Sequence, residues 1–426
     1  MTSYSEVLEQ VAAVRNVDKV RRGTSAFHRT NLALLSAGFS TFALMYCLQP
    51  LMPLFAREFH VTATVSSYSI SFTTGALATS MLFAGGLSEA WGRKPMMVTS
   101  LFASAALTVA SAFCPSWSEF LLFRALEGIA FSGLPSVAMA YLTEEMDSTA
   151  IGLAMGLYIG GTAIGGMSGR LIVGVLTDAV SWRFAIGAIG VLGLVAALIF
   201  WRSLPPSRHF ERHPLHFGKL FGLMQQHLRD GGLRWLYCEG FLLMGTFVTI
   251  LNYIGFRLVQ APYDLSQSQV GLIFIVYLVG AWSSAWVGSL AGQLGRRKVL
   301  WATMSVMLSG IVITLSGPLP IIILGLAIFT FGFFGSHSVV SSWVGLRARH
   351  SKAQASSLYL FFYYLGSSIV GSTGGVFWHH FQWLGVAGFT GALLGLGVLI
   401  SIRLAGLQPL AHPLPAAEAS GAASYN

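Results

Sequence analysis

The chain has 426 residues, 54% of them hydrophobic and only 10% charged, with a mean hydropathy of +0.68. A soluble domain carries about 25% charged residues, so composition excludes a soluble fold. The net charge of +9 does not mark a nucleic-acid surface, because the bases fall in short clusters between apolar runs, which is the pattern of membrane topology.

Residues 1–30 are polar and charged, with Glu6, Glu9, Arg15, Asp18, Lys19, Arg21 and Arg22. No short apolar run with a cleavage site opens them, so no cleaved signal peptide is expected. A bilayer-crossing helix needs about 20 mostly apolar residues. Six such spans are predicted at 31–55, 66–86, 96–114, 119–142, 150–176 and 183–203. A polar linker, 204–233, carries Pro205, Pro206, Arg208, Arg212, Pro214, Lys219 and Arg229. Six more spans follow at 234–258, 268–291, 299–316, 319–345, 354–376 and 384–405, and then a Pro/Ala-rich tail, 406–426. The reading is an all-α membrane protein of twelve helices, an N-terminal half 31–203 and a C-terminal half 234–405. Cys47, Cys114 and Cys238 are far apart and sit mostly in apolar segments, so they are expected as small buried residues rather than a metal cluster or disulfide framework.

With the N-terminus placed inside, the inner segments hold 20 Lys and Arg and the outer loops hold 3, namely Arg57, Arg183 and Arg257. Positive charge accumulates on the cytoplasmic side, so both termini and the linker are expected there. The two halves also look duplicated. Leu157-Tyr158 recurs as Leu358-Tyr359, Gly165 as Gly366, Gly174 as Gly375 and Trp182 as Trp383, all 201 positions apart. Halves related by an axis along the membrane normal place a substrate site at the midplane between them.

A second mark of duplication is the turn Gly85-Gly86-Leu87-Ser88-Glu89-Ala90-Trp91-Gly92-Arg93-Lys94-Pro95, read as a short connection bracketed by Gly85 and Gly92. A weaker copy, Gly288-Ser289-Leu290-Ala291-Gly292-Gln293-Leu294-Gly295-Arg296-Arg297-Lys298, lies 203 positions on. Twelve spans, a central loop and this turn resemble the major facilitator superfamily, with the resemblance covering roughly 30–405. The family's loop signature, G-x-L-a-D-r-x-G-r-k, is matched by Gly85, Leu87, Gly92, Arg93 and Lys94, with Glu89 replacing the acid and Ala90 losing a base. The copy matches at Gly288, Leu290, Gly295, Arg296 and Arg297, with Gly292 in place of the acid. Within the family the texture is similar to bacterial inner-membrane arabinose-efflux-permease-like and drug-efflux-like members. The resemblance implies a loop that holds an inner gate shut, with Arg93 pairing Glu144 or Glu145 and Glu89 near Ser351 and Gln354 at the start of the eleventh helix, where the helix dipole favours an anion. The plainer reading is that Arg93 and Lys94 only anchor the loop inside.

Arg124-Ala125-Leu126-Glu127-Gly128 resembles the family's R-x-x-q-G motif of the fourth span, linked there to proton coupling. A charge at this depth costs about 2.5–3.5 kcal/mol and needs a partner or a wet cavity. Arg124 and Glu127 are three apart on one helix face and can pair with each other. Gly161, Gly165 and Gly169 form a packing stripe in the fifth span. The stripe resembles the family's glycine-rich antiporter motif, except that Thr162 stands where that motif has proline. Arg170, Glu239 and His337 are further polar groups at depth. Glu239, near the inner end of the seventh span, is expected to reach the interface. His337 is flanked by Gly335, Ser336 and Ser338, and imidazole ordinarily titrates near neutral pH. Glu127, Glu239 and His337 are therefore candidate proton carriers. Tyr46, Gln49, Asn252, Tyr359, Tyr363 and Tyr364 are candidates for a central cavity suited to a partly apolar or sugar-like ligand.

No phosphate-binding loop, zinc-protease motif or nucleophile elbow occurs, so no cofactor and no enzymatic activity are expected. The sequence reads as a monomeric inner-membrane secondary transporter whose partners are the lipid bilayer, a small-molecule substrate and protons. Proton-coupled efflux of a drug- or sugar-like molecule is the leading expectation. Proton-linked uptake of sugars or organic acids is the alternative within transport, and a membrane-embedded receptor or enzyme is the alternative outside it.

Overall fold

The computed structural model describes residues 19–210, 212, 217–348 and 351–406. Most of the expected N-terminal segment and tail, and Arg349, lie outside these residues. Every named element is helical. Eight described helices are long and apolar enough to cross a membrane. One of them, Lys352–Gly406, reverses at Gln382, where φ is 52°, and supplies both the eleventh and the twelfth span. The third (Arg93–Ser111), the fourth (Trp117–Phe131 continued by Pro135–Glu145) and the ninth (Arg296–Ile313) complete the twelve.

The starts of the spans are written in the sequence as caps. Thr24, Thr62, Ser116, Asp147, Ser181 and Asp230 each accept a hydrogen bond from a backbone N–H of the helix that follows. Ser266 and Gln269 close a reciprocal box at the eighth span. Such side-chain oxygens satisfy N–H groups that a helix start leaves orphaned. The basic turns are tighter than expected. The second span runs unbroken through Gly85 to Trp91, with the Ser88 hydroxyl bonded back to the Gly85 carbonyl at 2.6 Å. The whole reversal falls on Gly92, at φ 115°, and on Gly295 in the copy, at φ 90°. Positive φ is nearly free only for glycine, so Gly92 and Gly295, and not Gly85 and Gly288, make the turns.

Three spans are broken. The first, Ser25–Glu58, passes through a 3-10 turn at Gln49–Leu51, where Pro50 withholds a backbone donor. The eighth, Gln267–Leu294, has a 3-10 turn at Phe274–Val276. The fourth is interrupted between Phe131 and Pro135.

Packing is closest where glycines remove a Cβ. A methyl added at Gly161, Gly165 or Gly169 would lie 2.6, 2.1 or 2.6 Å from the carbonyl oxygens of Leu35, Phe39 and Ala43, so the fifth span is seated directly on the first. In the C-terminal half, Gly366 stands the same 2.1 Å from the Phe241 carbonyl.

Both ends of the described chain lie on one face of the bundle, here the terminal face. The halves are joined at mid-depth and at the opposite face. Asp178 accepts from the Ser268 hydroxyl at 2.6 Å and from the Ser268 and Gln267 backbone at 2.7 and 3.2 Å. Ser71 accepts from Ser368 and Ser372 at 2.7 and 2.6 Å. Among the described residues, no ion pair and no side-chain hydrogen bond joins the halves toward the terminal face. Would-be Cβ atoms at Gly152, Gly156, Gly160, Gly292 and Gly295 meet nothing within 4 Å.

Candidate functional site

The two breaks in helices one and eight bring polar groups to one level. Gln49 in the first break accepts from the Arg170 Nε at 2.6 Å and donates to the Asn252 Oδ1 at 2.8 Å. Gln49 lies in the first span and Asn252 in the seventh, so this bond joins the two halves at the junction. Tyr277, which follows the second break, accepts from the Arg170 Nη2 at 3.0 Å. The Arg170 Nη1 donates to the Gly166 carbonyl. Tyr46, Phe274 and Tyr277 ring the guanidinium at 5.1, 4.7 and 4.8 Å. The Asn252 Nδ2 has no hydrogen-bond partner, and the Tyr46 hydroxyl faces Ser367 without an aligned bond. Arg170 itself is 1% exposed.

An aromatic band continues from this cluster. Tyr277 meets Phe334 edge-on at 5.6 Å, Phe334 meets Phe333 at 5.2 Å, and Phe333 stacks on His337 at 6.1 Å. The His337 Nδ1 lies 2.8 Å from the Tyr359 hydroxyl, and its ring is 4.7 Å from that of Tyr363. Thus Tyr46, Gln49, Asn252, Tyr359, Tyr363 and His337 fall into one connected region.

Arg124 and Glu127 are 1% and 0% exposed and pair with each other. The guanidinium also donates to the Ser69 carbonyl at 2.9 Å and the Met45 carbonyl at 3.0 Å. One ion therefore ties the fourth span to the second and first, one residue from Tyr46. The Glu127 Oε1 carries no hydrogen bond. Glu239 corrects an expectation. It is fully buried rather than interfacial, neither oxygen has a hydrogen-bond partner, and it lies beside Gly397 of the twelfth span, one residue from Gly240, which abuts the Tyr359 ring. Its position fits helix geometry: eight residues into a span that starts at Gly231 is about 12 Å of rise.

At the terminal face, Arg93 binds Glu144 at 2.8 Å, contacts the Ser88 hydroxyl at 2.5 Å and lies over the Phe210 ring at 5.3 Å. Glu145 is not its partner. It holds His209 of the linker, through the ring at 3.1 Å and the backbone N–H at 2.8 Å. Lys94 caps the sixth span by donating to the Leu204 carbonyl. Glu89 has neither an ion pair nor a side-chain hydrogen bond among the described residues. Among the described residues Glu89 makes no ion pair or hydrogen bond with Ser351 or Gln354. In the copy, Arg296 donates to Ser342 at 3.2 Å and Arg297 to the Ala405 carbonyl at 2.9 Å. Arg347 forks onto Asp230 at 2.6 and 3.1 Å. Burial raises the Asp230 carboxyl, but hydrogen bonds from Arg347 and from the Leu233 backbone outweigh it and hold the group below the usual carboxylate range.

Sequence reasoning left Arg170, Tyr277 and Phe274 out of the site. One signal marks Arg170: no acid lies three or four residues from it, unlike Arg124. Tyr277 and Phe274 carry no sequence signal that separates them from other span aromatics.

Residues 34–371 match the family described as Major Facilitator Superfamily. The chain is 50% identical over 386 residues to the Uncharacterized MFS-type transporter YybF of Bacillus subtilis, covering 91% of this chain and 96% of that protein. It is 50% identical over 385 residues to the Inner membrane transport protein YnfM of Escherichia coli, covering 90% and 92%. Among solved structures, a point mutant of the nucleoside transporter NupG superposes with a TM-score of 0.73 at 13% identity, covering 88% of this chain and 99% of that one. A bacterial homolog of the human lysosomal transporter Spinster, inward-facing and unoccupied, superposes with a TM-score of 0.70 at 13% identity, covering 89% and 95%. At that identity the likeness is one of fold.

Proposed function

Because the chain belongs to the Major Facilitator Superfamily, we propose that it exports a small organic molecule across the bacterial inner membrane in exchange for protons. It is a multi-pass membrane transporter and not an enzyme. The 20-to-3 division of Lys and Arg supports placing the terminal face in the cytoplasm. On that placement the substrate region around Gln49, Asn252 and the His337–Tyr359 pair lies at mid-depth, with Gln49, Asn252 and Tyr359 buried.

One observation carries the coupling. Arg124 and Glu127 form a fully buried ion pair whose guanidinium also holds the backbones of two other spans. Protonating Glu127 leaves Arg124 without its counter-charge, and an unpaired buried charge is costly. The spans it ties then repack, and a proton on one carboxylate is converted into a preference between arrangements. Glu127 is the carrier by this reading. Glu239 has no charged partner whose release could move other spans, and His337 serves the substrate region. The Arg93–Glu144 contact and the free Glu89 belong to the gate, with Glu89 engaging the eleventh span when the cytoplasmic face closes.

Uptake uses the same parts under the same inward gradient, with proton and substrate moving in the same direction, and no feature of the site favours it over export. The test uses proteoliposomes with the pH dye pyranine inside and panels of antibiotics, sugars and organic acids added outside. Export coupling predicts substrate-dependent proton movement opposite to substrate, abolished in Glu127→Gln. Substrate flux with no proton movement and no sensitivity to an uncoupler overturns the proposal.

A further inference from the structure

Two arginines are fully buried in the N-terminal half, and they differ in one respect. Arg124 has Glu127. Arg170 has no carboxylate within ion-pair distance among the described residues, and its partners are an amide, a phenol and a carbonyl. A buried cation without an anion is expensive. We infer that the missing counter-ion is the substrate: a carboxylate-bearing molecule with an aromatic or apolar body, its carboxylate seated on Arg170 and its body along the ring band toward His337. This rests on the transport reading of the site and adds the chemical class of its cargo.

The geometry supports the inference at four points. A guanidinium has five N–H groups. Three are used by Gln49, Gly166 and Tyr277, which leaves one on each terminal nitrogen for an anion, and a carboxylate accepts two such bonds together. Two further donors beside it, the Asn252 Nδ2 and the Tyr46 hydroxyl, are buried and unused, and both suit a carboxylate oxygen. The duplication offset of 201 carries Arg170 onto Gly371, whose would-be Cβ sits 3.5 Å from the Asn252 Nδ2. The C-terminal half therefore leaves a small residue where the other half has its cation, beside the unused amide. Finally, the rings running from Tyr277 to Tyr363 are a surface for the apolar part of a ligand.

The cost of leaving the site empty also explains how cargo biases the protein. An anion on Arg170 relieves a charge shared by both halves through Gln49–Asn252 and Tyr277. Binding then favours whichever arrangement completes the shell.

The experiment measures binding in detergent, with no gradient, so it is independent of proton coupling and direction. Matched pairs are used: benzoate with benzamide, phenylacetate with phenylacetamide, and indole-3-acetate with its amide. Wild type is expected to be thermally stabilised by at least one acid and not by its amide. Arg170→Gln should weaken acid binding by about 10–100-fold, the range for a hydrogen bond to a charged group. Tyr46→Phe should weaken it by less, and Arg57→Gln, in the cleft at the opposite face, should leave it unchanged. A readout that a purely structural Arg170 would not give is the ligand-free melting temperature of Arg170→Met. Relief of an unpaired charge predicts a value equal to or above wild type, with acid binding lost. If no acid outperforms its amide on wild type, or if Arg170→Gln binds acids as wild type does, the inference is wrong. A well-folded Arg170→Met with a sharply lower melting temperature makes Arg170 a structural strut instead. Proton-coupled flux of a neutral compound alongside any of these failures would leave the transport reading standing.

Discussion

The two halves share helices, glycine seats and basic turns, yet they distribute charge differently. The N-terminal half buries Arg124, Glu127 and Arg170. At the same offsets the C-terminal half has Ala327, Thr330 and Gly371, and the ionisable groups at depth in its own spans include His337 on Tyr359 and Glu239, which has no hydrogen-bond partner. At the basic turn the difference recurs: Arg93 finds Glu144 within its half, while the copy lost its acid to Gly292 and the fork Arg347–Asp230 lies on the linker side instead. On the proposed coupling, the N-terminal half alone carries the ionisable pair through which a gradient acts.

Breaking the charged side of this comparison should have the largest effect. Arg124→Met leaves Glu127 buried and unpaired and is expected to cost about 3–5 kcal/mol, read as a large fall in melting temperature in detergent. The double variant Arg124→Met with Glu127→Leu should recover most of that loss while transport remains absent. Recovery of transport in the double variant would remove the pair from the mechanism.

The shared framework should respond equally in both halves. Gly165→Ala and Gly366→Ala each drive a methyl to 2.1 Å from a carbonyl oxygen of the facing helix. Each is expected to cost about 1–3 kcal/mol. A large difference between the two would show that the halves pack unequally.

The turns should affect transport more than stability. The Arg93–Glu144 pair is partly exposed, so Arg93→Ala should cost under about 1 kcal/mol but slow flux markedly. Glu89→Gln, with no partner in this arrangement, should leave the melting temperature unchanged and still slow flux. Gly292→Asp, which restores an acid to the copy, should be milder than either. Normal flux in Arg93→Ala and Glu89→Gln leaves the turn as an anchor only.

The smallest expected effect concerns pH. Asp230 is held below its ordinary carboxylate value when folded, so its contribution is fully present above the unfolded value, near pH 4. It is lost as pH falls through the folded value. The difference in melting temperature between wild type and Asp230→Asn should therefore be flat from neutral pH to about pH 5 and shrink below about pH 4. A difference that instead changes between pH 6 and 8 assigns the dependence to another group.

The fold was largely legible in the chain, for physical reasons. Bilayer thickness sets span length, the Lys and Arg clusters mark the loops, and the glycine spacing predicted which faces touch. What composition does not encode is where a helix stops being regular. The breaks at Gln49–Leu51 and Phe274–Val276 lift Gln49 and Tyr277 to the level of Arg170, and only the first has a proline to announce it. Glu239 was misjudged because depth along a helix says nothing about which neighbour covers a side chain. The relation of Glu89 to Ser351 is set by how the two halves meet, a property of the arrangement rather than of the sequence.

The central claim is that a proton on Glu127 drives transport. The direct measurement is substrate flux in proteoliposomes under an imposed pH gradient, compared with gradient-free exchange, for wild type, Glu127→Gln, Glu239→Gln and His337→Asn. The account predicts that Glu127→Gln loses gradient-driven flux and keeps exchange, while Glu239→Gln keeps both and His337→Asn weakens both together. Wild-type flux that ignores the gradient and an uncoupler, or a Glu127→Gln variant driven as well as wild type, would contradict it.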